Sequence, residues 1–310
     1  MRIRSVISGL AVAGLAAVLP AAGASASASH AAPSPLATHH MTITRNGVTA
    51  HVTVRGNWKL SSVRLPGTRL PAPRITRRPS AVPNSYGTAH STNWSGYVDV
   101  AKSGQTFRFI TANFNIPSIN CAASTPGTSG DSYYSAWTGL DGWNGTTVEQ
   151  QGIETECATG GATNLWTFYE MYPVNPVAFT GANPGDALQS STYYSATTHR
   201  YSLVVTDETQ GGAGISVQVA CASTCKRTSA EAISEAPGNG PPLYGLSDFG
   251  GQNFTTGQAT TLKGAKGYLA STSLWNSYNV NLEDTGSHIM AQPGALQGGE
   301  AFLDLWKAST

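Results

Sequence analysis

Charged residues are scarce in this chain, because Asp, Glu, Lys and Arg make up only 11% of its 310 residues. Helical spacing of apolar residues is nearly absent too. In its place, short runs of Thr, Tyr, Val and Trp alternate with turns of Gly, Ser and Asn. The 34 Gly, 12 Tyr and 7 Trp complete a composition that is typical of an extracellular all-β protein.

Several catalytic motifs are also missing. There is no Cys-x-x-Cys and no His-Glu-x-x-His, and the part of the chain after the leader has only His90, His199 and His288. A metal centre is therefore not expected, and neither is another cofactor. The absence of Gly-x-Ser-x-Gly disfavours a serine hydrolase.

Negative charge is absent from the beginning of the chain. No Asp or Glu precedes Asp99, whereas ten of the 18 Lys and Arg residues do. The remainder carries 8 basic and 17 acidic side chains, so its formal charge is −9. Once the basic leader is removed, a nucleic-acid-binding surface is not expected.

The leader has two parts. Residues 1–28 are typical of a secretory signal peptide, with Arg2 and Arg4 before an apolar run and small-residue cleavage sites after it. The apolar run is too short for a retained membrane span, so we expect a secreted protein that is free of the membrane. Residues 29–83 read as a basic pro-segment and linker, with a possible hairpin turn at Asn46-Gly47 and a dibasic processing candidate at Arg77-Arg78.

Four cysteines fit an oxidising compartment, and they permit three pairings. We favour Cys221–Cys225 across a tight turn and Cys121–Cys157 between the loops that flank a central hairpin.

Residues 84–310 are predicted to form one all-β domain, a two-sheet antiparallel β-sandwich of the concanavalin-like or jelly-roll type. So many short strands without intervening helices leave no route for parallel crossovers. The predicted strands are Trp94–Val100, Thr106–Ile116, Tyr133–Leu140, Thr147–Glu154, Asn164–Tyr172, Ser190–Ala196, Arg200–Asp207, Gly214–Cys221, Ser229–Glu235, Tyr244–Phe249, Ser273–Leu282 and Ala301–Lys307.

Polar side chains interrupt three of these strands. Strand alternation puts Gln150 on the same face as Val148 and Gly152, where a carboxamide needs a polar partner. By the same alternation Glu235 shares a face with Ile233 and Glu231. Glu170 stands among aromatic residues.

Five motifs together resemble the glutamic peptidases, also called eqolisins, in their order and approximate spacing. The motifs are Asn93-Trp94, Trp137-Thr138-Gly139-Leu140-Asp141-Gly142, Gln150-Gln151-Gly152, Tyr169-Glu170-Met171-Tyr172-Pro173 and Ala230-Glu231-Ala232-Ile233-Ser234-Glu235. In the last motif Ala232 replaces an aromatic residue of the family.

The resemblance implies a β-sandwich endopeptidase that is secreted with a pro-segment and is active at acid pH on polypeptide substrates. By position, its catalytic dyad would be Gln150 and Glu235, with Gln151 as the substitute if the register shifts by one. Four further residues would line the cleft: Trp137, Asp141, Glu170 and Tyr172.

The basic pro-segment is expected to act as an intramolecular inhibitor of an enzyme that works as a monomer. Two alternatives stay open at this point. The aromatic content also suits a carbohydrate-binding, lectin-like sandwich. Two carboxylates, for instance Glu170 and Glu235, would suit a glycoside hydrolase.

Overall fold

The structure, a computed structural model, describes residues 35–68, 70–71, 73–79, 85–238 and 244–309. The predicted signal peptide and parts of residues 29–83 lie outside these ranges. The described residues contain strands and no helix, which confirms the all-β prediction. The strands are β1 (Thr38–Arg45), β2 (Val48–Arg55), β3 (Lys59–Leu60), β4 (Arg74–Arg77), β5 (Gly87–Ser91), β6 (Trp94–Ala101), β7 (Phe107–Asn115), β8 (Ser132–Asp141), β9 (Val148–Cys157), β10 (Thr163–Tyr172), β11 (Val174–Thr180), β12 (Ala187–Ser195), β13 (Arg200–Asp207), β14 (Ala213–Ala220), β15 (Ser229–Glu235), β16 (Gly245–Leu246), β17 (Gly251–Thr261), β18 (Lys266–Tyr268), β19 (Trp275–Glu283), β20 (Ile289–Pro293) and β21 (Phe302–Trp306).

The pairing order divides into two long runs. One run is β3-β11-β10-β9-β8-β15-β6-β19-β5-β4, and the other is β1-β2-β14-β13-β12-β7-β17. Strands β20 and β21 join the two runs, since β20 pairs with β19 and β21 pairs with β17. Pairing is antiparallel except between β5 and β19 and between β8 and β16. Strands β8 and β9 of the first run contact β12 and β13 of the second, as expected for a sandwich.

A large apolar core packs on one face of both runs. We call it the interlayer core, and its members include Tyr134, Ile153, Leu203, Val217 and Phe254. Ala232 also belongs to it and is fully buried. The residue that departs from the family motif therefore faces the core and not the opposite face of β15.

Among the strands after position 172, the sequence pattern did not predict β11, β17, β18 and β20. β11 was not predicted, because Pro173 precedes it and Pro176 lies inside it, and proline weakens a strand pattern. The run predicted as Tyr244–Phe249 contains only the two-residue strand β16. Both predicted disulfides are present, with Cα–Cα distances of 5.4 Å for Cys121–Cys157 and 6.0 Å for Cys221–Cys225.

Part of the leader belongs to the sheet. β1 and β2 form a hairpin whose turn residues, Asn46 and Gly47, have positive φ angles of 48° and 78°, as a two-residue turn of type I′ requires. β2 then pairs with β14 over six residue pairs. Residues Leu36–Thr310 consequently form one compact unit. The predicted boundary near residue 84 is thus a prediction about processing, since it does not separate two compact bodies.

Candidate active site

A second apolar cluster lies on the opposite face of the first run, away from the interlayer core. We call it the cleft floor; its members include Trp94, Trp137, Phe168, Ile233 and Val280. Alternation along the strands brings polar residues to this face. Gln150 on β9 is paired with Gly139 on β8 and with Glu170 on β10. Ser135 on β8 is paired with Glu235 on β15 and with Glu154 on β9.

The carboxyl group of Glu235 is held from three sides. The indole Nε1 of Trp137 donates to its Oε2 at 2.8 Å, and the amide Nδ2 of Asn93 donates to its Oε1 at 3.1 Å. The hydroxyl of Thr68 lies 2.7 and 2.9 Å from the two oxygens and donates to the same carboxyl group. Glu235 is only 1% exposed, so these donors replace the water that a surface carboxylate would have.

Gln150 is connected to this site by a hydrogen bond to Glu170. Its Nε2 donates to Oε2 of Glu170 at 2.6 Å, and the backbone N–H of Thr68 donates to that same oxygen at 3.1 Å. Thr68 therefore contacts Glu235 with its side chain and Glu170 with its backbone. The two predicted dyad residues lie on either side of one leader residue, although they are 85 positions apart in the sequence.

Three carboxyl groups, those of Glu154, Glu170 and Glu235, share this buried face. Burial raises the pKa of Glu170 to about 8, and the nearby charge of Glu235 raises it further, against hydrogen bonds from Thr68 and Gln150 that lower it. Burial likewise raises the pKa of Glu154 well above its usual range, with added repulsion from Glu170 and Glu235. Glu170 and Glu154 are therefore protonated in this state at acid pH.

Gly152 lets β8 and β9 approach closely beneath the site. A Cβ atom at this position would lie 2.0 Å from the carbonyl oxygen of Ala136 and 2.7 Å from Cα of Trp137. Only glycine leaves the backbone and side chain of Trp137 where its indole can reach Glu235.

Gln151 faces the other way. Its Nε2 donates to the hydroxyls of Thr138 and Ser190 at 2.9 and 2.8 Å, and its Oε1 accepts from Thr192 at 2.8 Å. Ser190 and Thr192 belong to β12 of the second run, so this amide links the two runs. The alternation that assigned Gln150 to the cleft face thus agrees with the contacts of both glutamines.

The other predicted cleft residues are distributed differently. Tyr172 is half-buried and packs against the cleft floor just before the cis peptide bond to Pro173. Asp141 ends β8, where its carboxylate accepts hydrogen bonds from the backbone N–H groups of Arg227 and Thr228 at 2.6 and 2.8 Å. These contacts anchor the loop before β15, and none of the described contacts joins Asp141 to Gln150 or Glu235.

Two residues near the site escaped the sequence prediction. Glu154 could have been predicted, because it lies on the same face of β9 as Gln150 and Gly152. Thr68 carried no local signal, since its partners lie more than 100 residues away. Asn93 was recognised only as part of a motif and not as a ligand of Glu235.

The leader crosses the cleft floor next to Thr68. Leu65 is 3% exposed and packs into the cleft floor cluster, and the carbonyl oxygen of Gly67 accepts from the N–H of Gly238 at 2.9 Å. Gly67 has a φ of +74°, and a Cβ atom there would lie 2.9 Å from Oε1 of Glu170. The positive φ and the close approach to Glu170 favour glycine at this position, next to the residue that contacts both carboxyl groups.

Candidate metal ligands converge at one place among the described residues, around Glu149, Cys221 and Cys225. The two cysteines are joined to each other as a disulfide, which removes them as thiolate ligands. Within the same described ranges, no helix has the length and apolar character needed to cross a membrane.

This chain is similar to known proteins. The Peptidase A4 family model matches residues 92–292. Aspergillopepsin-2 of Aspergillus niger is 25% identical over 189 residues, which is 56% of this chain and 65% of that protein, so the chain spans just under two thirds of this relative.

Solved structures match the fold. A scytalido-glutamic peptidase with a peptide-based transition-state analogue aligns with a TM-score of 0.55 at 22% identity, over 70% of this chain and 98% of that one. SCP-B, described as an eqolisin in complex with the tripeptide Ala-Ile-His, aligns with a TM-score of 0.51 at 20% identity over the same shares. The family match covers well over half of the sequence and contains every motif from Asn93 to Glu235, and the chain therefore belongs to the peptidase A4 family.

Proposed function

We propose that the protein is a secreted, acid-acting endopeptidase in which Gln150 and Glu235 hydrolyse peptide bonds without a covalent intermediate. One observation carries the proposal: the hydroxyl oxygen of Thr68 lies 2.7 and 2.9 Å from the Glu235 carboxyl oxygens. A water molecule activated by a general base must lie within about 2.6–3.2 Å of it. When the leader leaves, a water at the position of this oxygen is ready for deprotonation.

The chemistry follows from the two side chains. Glu235 takes a proton from the water, whose oxygen attacks the carbonyl carbon of the scissile peptide bond. The developing oxyanion accepts a hydrogen bond from Nε2 of Gln150, which has two N–H donors and spends one of them on Glu170. Glu235 then passes its proton to the leaving nitrogen, the C–N bond breaks, and the carboxyl group returns to its starting state.

Glu170 acts as a positioning residue in this scheme. Its Oε2 accepts a hydrogen bond from Nε2 of Gln150 at 2.6 Å. This bond fixes the orientation of the amide, so that the N–H donors face the substrate. With the leader bound, burial raises the pKa of Glu170 to about 8, so this residue is neutral in acid and adds no second negative charge beside Glu235. A Glu base with an ordinary pKa of about 4 can also return its proton readily only in an acidic medium.

The leader supplies the inhibition. Thr68 engages Glu235 while Leu65 occupies the cleft floor, so a substrate peptide and the leader compete for one surface. The Thr68 hydroxyl, which follows Gly67, occupies the place on Glu235 that the attacking water takes in the free enzyme. Secretion fits the two disulfides and the signal-like residues 1–28, and a polypeptide substrate fits a cleft that already accommodates a stretch of chain.

The test compares variants of the processed enzyme on casein between pH 2 and 7. Glu235→Gln keeps the shape but loses the base, so kcat should fall by about 10²-fold or more. Gln150→Ala removes the oxyanion donor and should lower kcat by roughly 10²–10³-fold.

Glu231→Gln is the matched control. Glu231 lies on the same strand, is equally buried, and has a pKa raised well above its usual range by burial, so its neutral form already resembles Gln. Activity of this variant should remain within about threefold of the parent protein. Full activity of Glu235→Gln on casein would refute the dyad, and sugar polymer hydrolysis without casein cleavage would favour a glycosidase.

A further inference from the structure

Residues 38–60 of the leader cover the edges of both runs. β2 pairs with β14 from Arg55↔Gly214 to Ala50↔Val219, and β3 pairs with β11 through Leu60↔Phe179. Without residues 38–60, β14 would present a six-residue row of unpaired backbone groups. β11 would lose its outer neighbour as well.

The hairpin also contributes apolar side chains to the interlayer core. Ala50, Val52 and Val54 are each no more than 2% exposed and alternate along β2, facing the core beside β14. Trp58 is 2% exposed, and its ring covers Gly181, where a Cβ atom would lie only 2.3 Å from Cδ1 of the indole. Burial of this kind is what holds an internal strand in place.

The segment that covers the active site is attached less extensively. Between the hairpin and β4, Leu65 and Thr68 are buried, while Val63 and Leu70 are only half-buried. The described part of residues 61–71 forms no strand, and its described backbone contacts with the first run are single hydrogen bonds, such as that from Ser61 N–H to the carbonyl oxygen of Ala178 on β11 at 2.9 Å. The leader is therefore attached in three ways: its hairpin and β3 extend the sheet runs, residues 61–71 lie on the cleft floor, and β4 pairs with β5.

We propose that residues 36–60 remain bound to the catalytic domain after processing, as a non-covalent strand partner of β14 and β11, while residues 61–71 leave the cleft. The strand that covers the edge of β14 is thus β2 of this chain's own leader, which stays bound after the chain is cut. This inference goes beyond the proposed function, because it concerns sheet assembly and holds whether or not Gln150 and Glu235 cleave peptides.

The test uses full-length protein carrying Glu235→Gln, so that no self-cleavage occurs, with a site for a sequence-specific protease inserted between Arg78 and Pro79. After cutting, size-exclusion chromatography and mass spectrometry measure how much leader fragment elutes with the catalytic domain. The unsubstituted fragment should co-elute in a one-to-one ratio. Its complete separation at micromolar concentration would overturn the proposal.

Two substitutions separate the hairpin from the cleft segment. Val52→Lys places a charge in the interlayer core and should weaken retention by about 10- to 100-fold, whereas Leu65→Lys should leave the fragment bound. His51→Lys is the matched control, because it adds the same charge to the exposed face of the same strand.

If the Val52→Lys protein fails to fold, Val52→Ala replaces it, because this substitution only removes apolar volume. The retention of the Val52→Ala fragment should fall between that of the Val52→Lys fragment and that of the parent fragment. Release by Leu65→Lys together with full retention by Val52→Lys or Val52→Ala would show that the cleft segment, and not the hairpin, holds the leader. That result would overturn the inference and leave the dyad untouched.

Discussion

Acid stability follows from buried carboxyl groups, and Asp304 on β21 provides the clearest test. Its side chain is fully buried, its Oδ1 accepts from the Ser95 hydroxyl at 2.7 Å, and it lies outside the candidate active site. Burial raises its pKa to about 7 from an ordinary 3.8, against hydrogen bonds that lower it. The perturbation is Asp304→Asn, which keeps the shape and an acceptor oxygen but cannot ionise.

The sign follows from proton binding. A carboxyl group with a raised folded-state pKa binds its proton more tightly in the folded protein, so its contribution is complete below pH 3.8 and is lost as the pH rises through 7. Each unit of pH in this window costs about 1.36 kcal/mol per group. From pH 3.8 to pH 7 the free energy of unfolding should therefore fall by about 4 kcal/mol on account of Asp304 alone.

The assay is urea unfolding of full-length protein at pH 4, 5, 6 and 7, in the Glu235→Gln background to prevent self-cleavage. The parent should lose stability with rising pH, and Asp304→Asn should lose about 4 kcal/mol less between pH 4 and 7. At pH 4 the two proteins should differ by no more than about 1 kcal/mol, because a protonated Asp and an Asn are similar in shape. Parallel pH curves for the two proteins would refute the reasoning.

Three further predictions concern the cleft. Thr68→Val removes the hydroxyl that engages Glu235, so self-processing at pH 4 should accelerate by about 10- to 100-fold, whereas Thr76→Val on an exposed leader strand should not change it. Trp137→Phe deletes the 2.8 Å bond to Glu235 and should lower kcat of the processed enzyme about 10- to 100-fold; unchanged kcat would contradict a role for the indole. Gly152→Ala sets a Cβ atom 2.7 Å from Cα of Trp137 and should cost about 3 kcal/mol or more in urea unfolding; a near-neutral effect would mean that the strands can separate there.

Local sequence pattern determined much of the architecture. Strand alternation is a property of neighbouring residues, so it identified most of the long strands, though not β17, and the opposite orientations of Gln150 and Gln151 without any tertiary information. The motif that ends in Glu235 likewise named a residue that lies beside Trp137 in the structure. Prediction failed at β11, which proline interrupts, and at β17, whose Gly, Gln and Asn residues weaken the strand pattern.

Only the tertiary structure decided how distant parts of the chain meet. Thr68 reaches Glu235 across 167 positions, and no periodicity links them. The sequence of the leader predicts a basic connector, but its hairpin pairs with β14. The edge of β14 offers free backbone hydrogen-bonding groups, and β2 has apolar residues at the alternating spacing that the core requires. Asp141 belongs to a family motif, yet its described contacts tie it to the loop at Arg227 and Thr228. The raised pKa of Glu170 depends on burial and on the charge of Glu235, which exist only once the strands have packed.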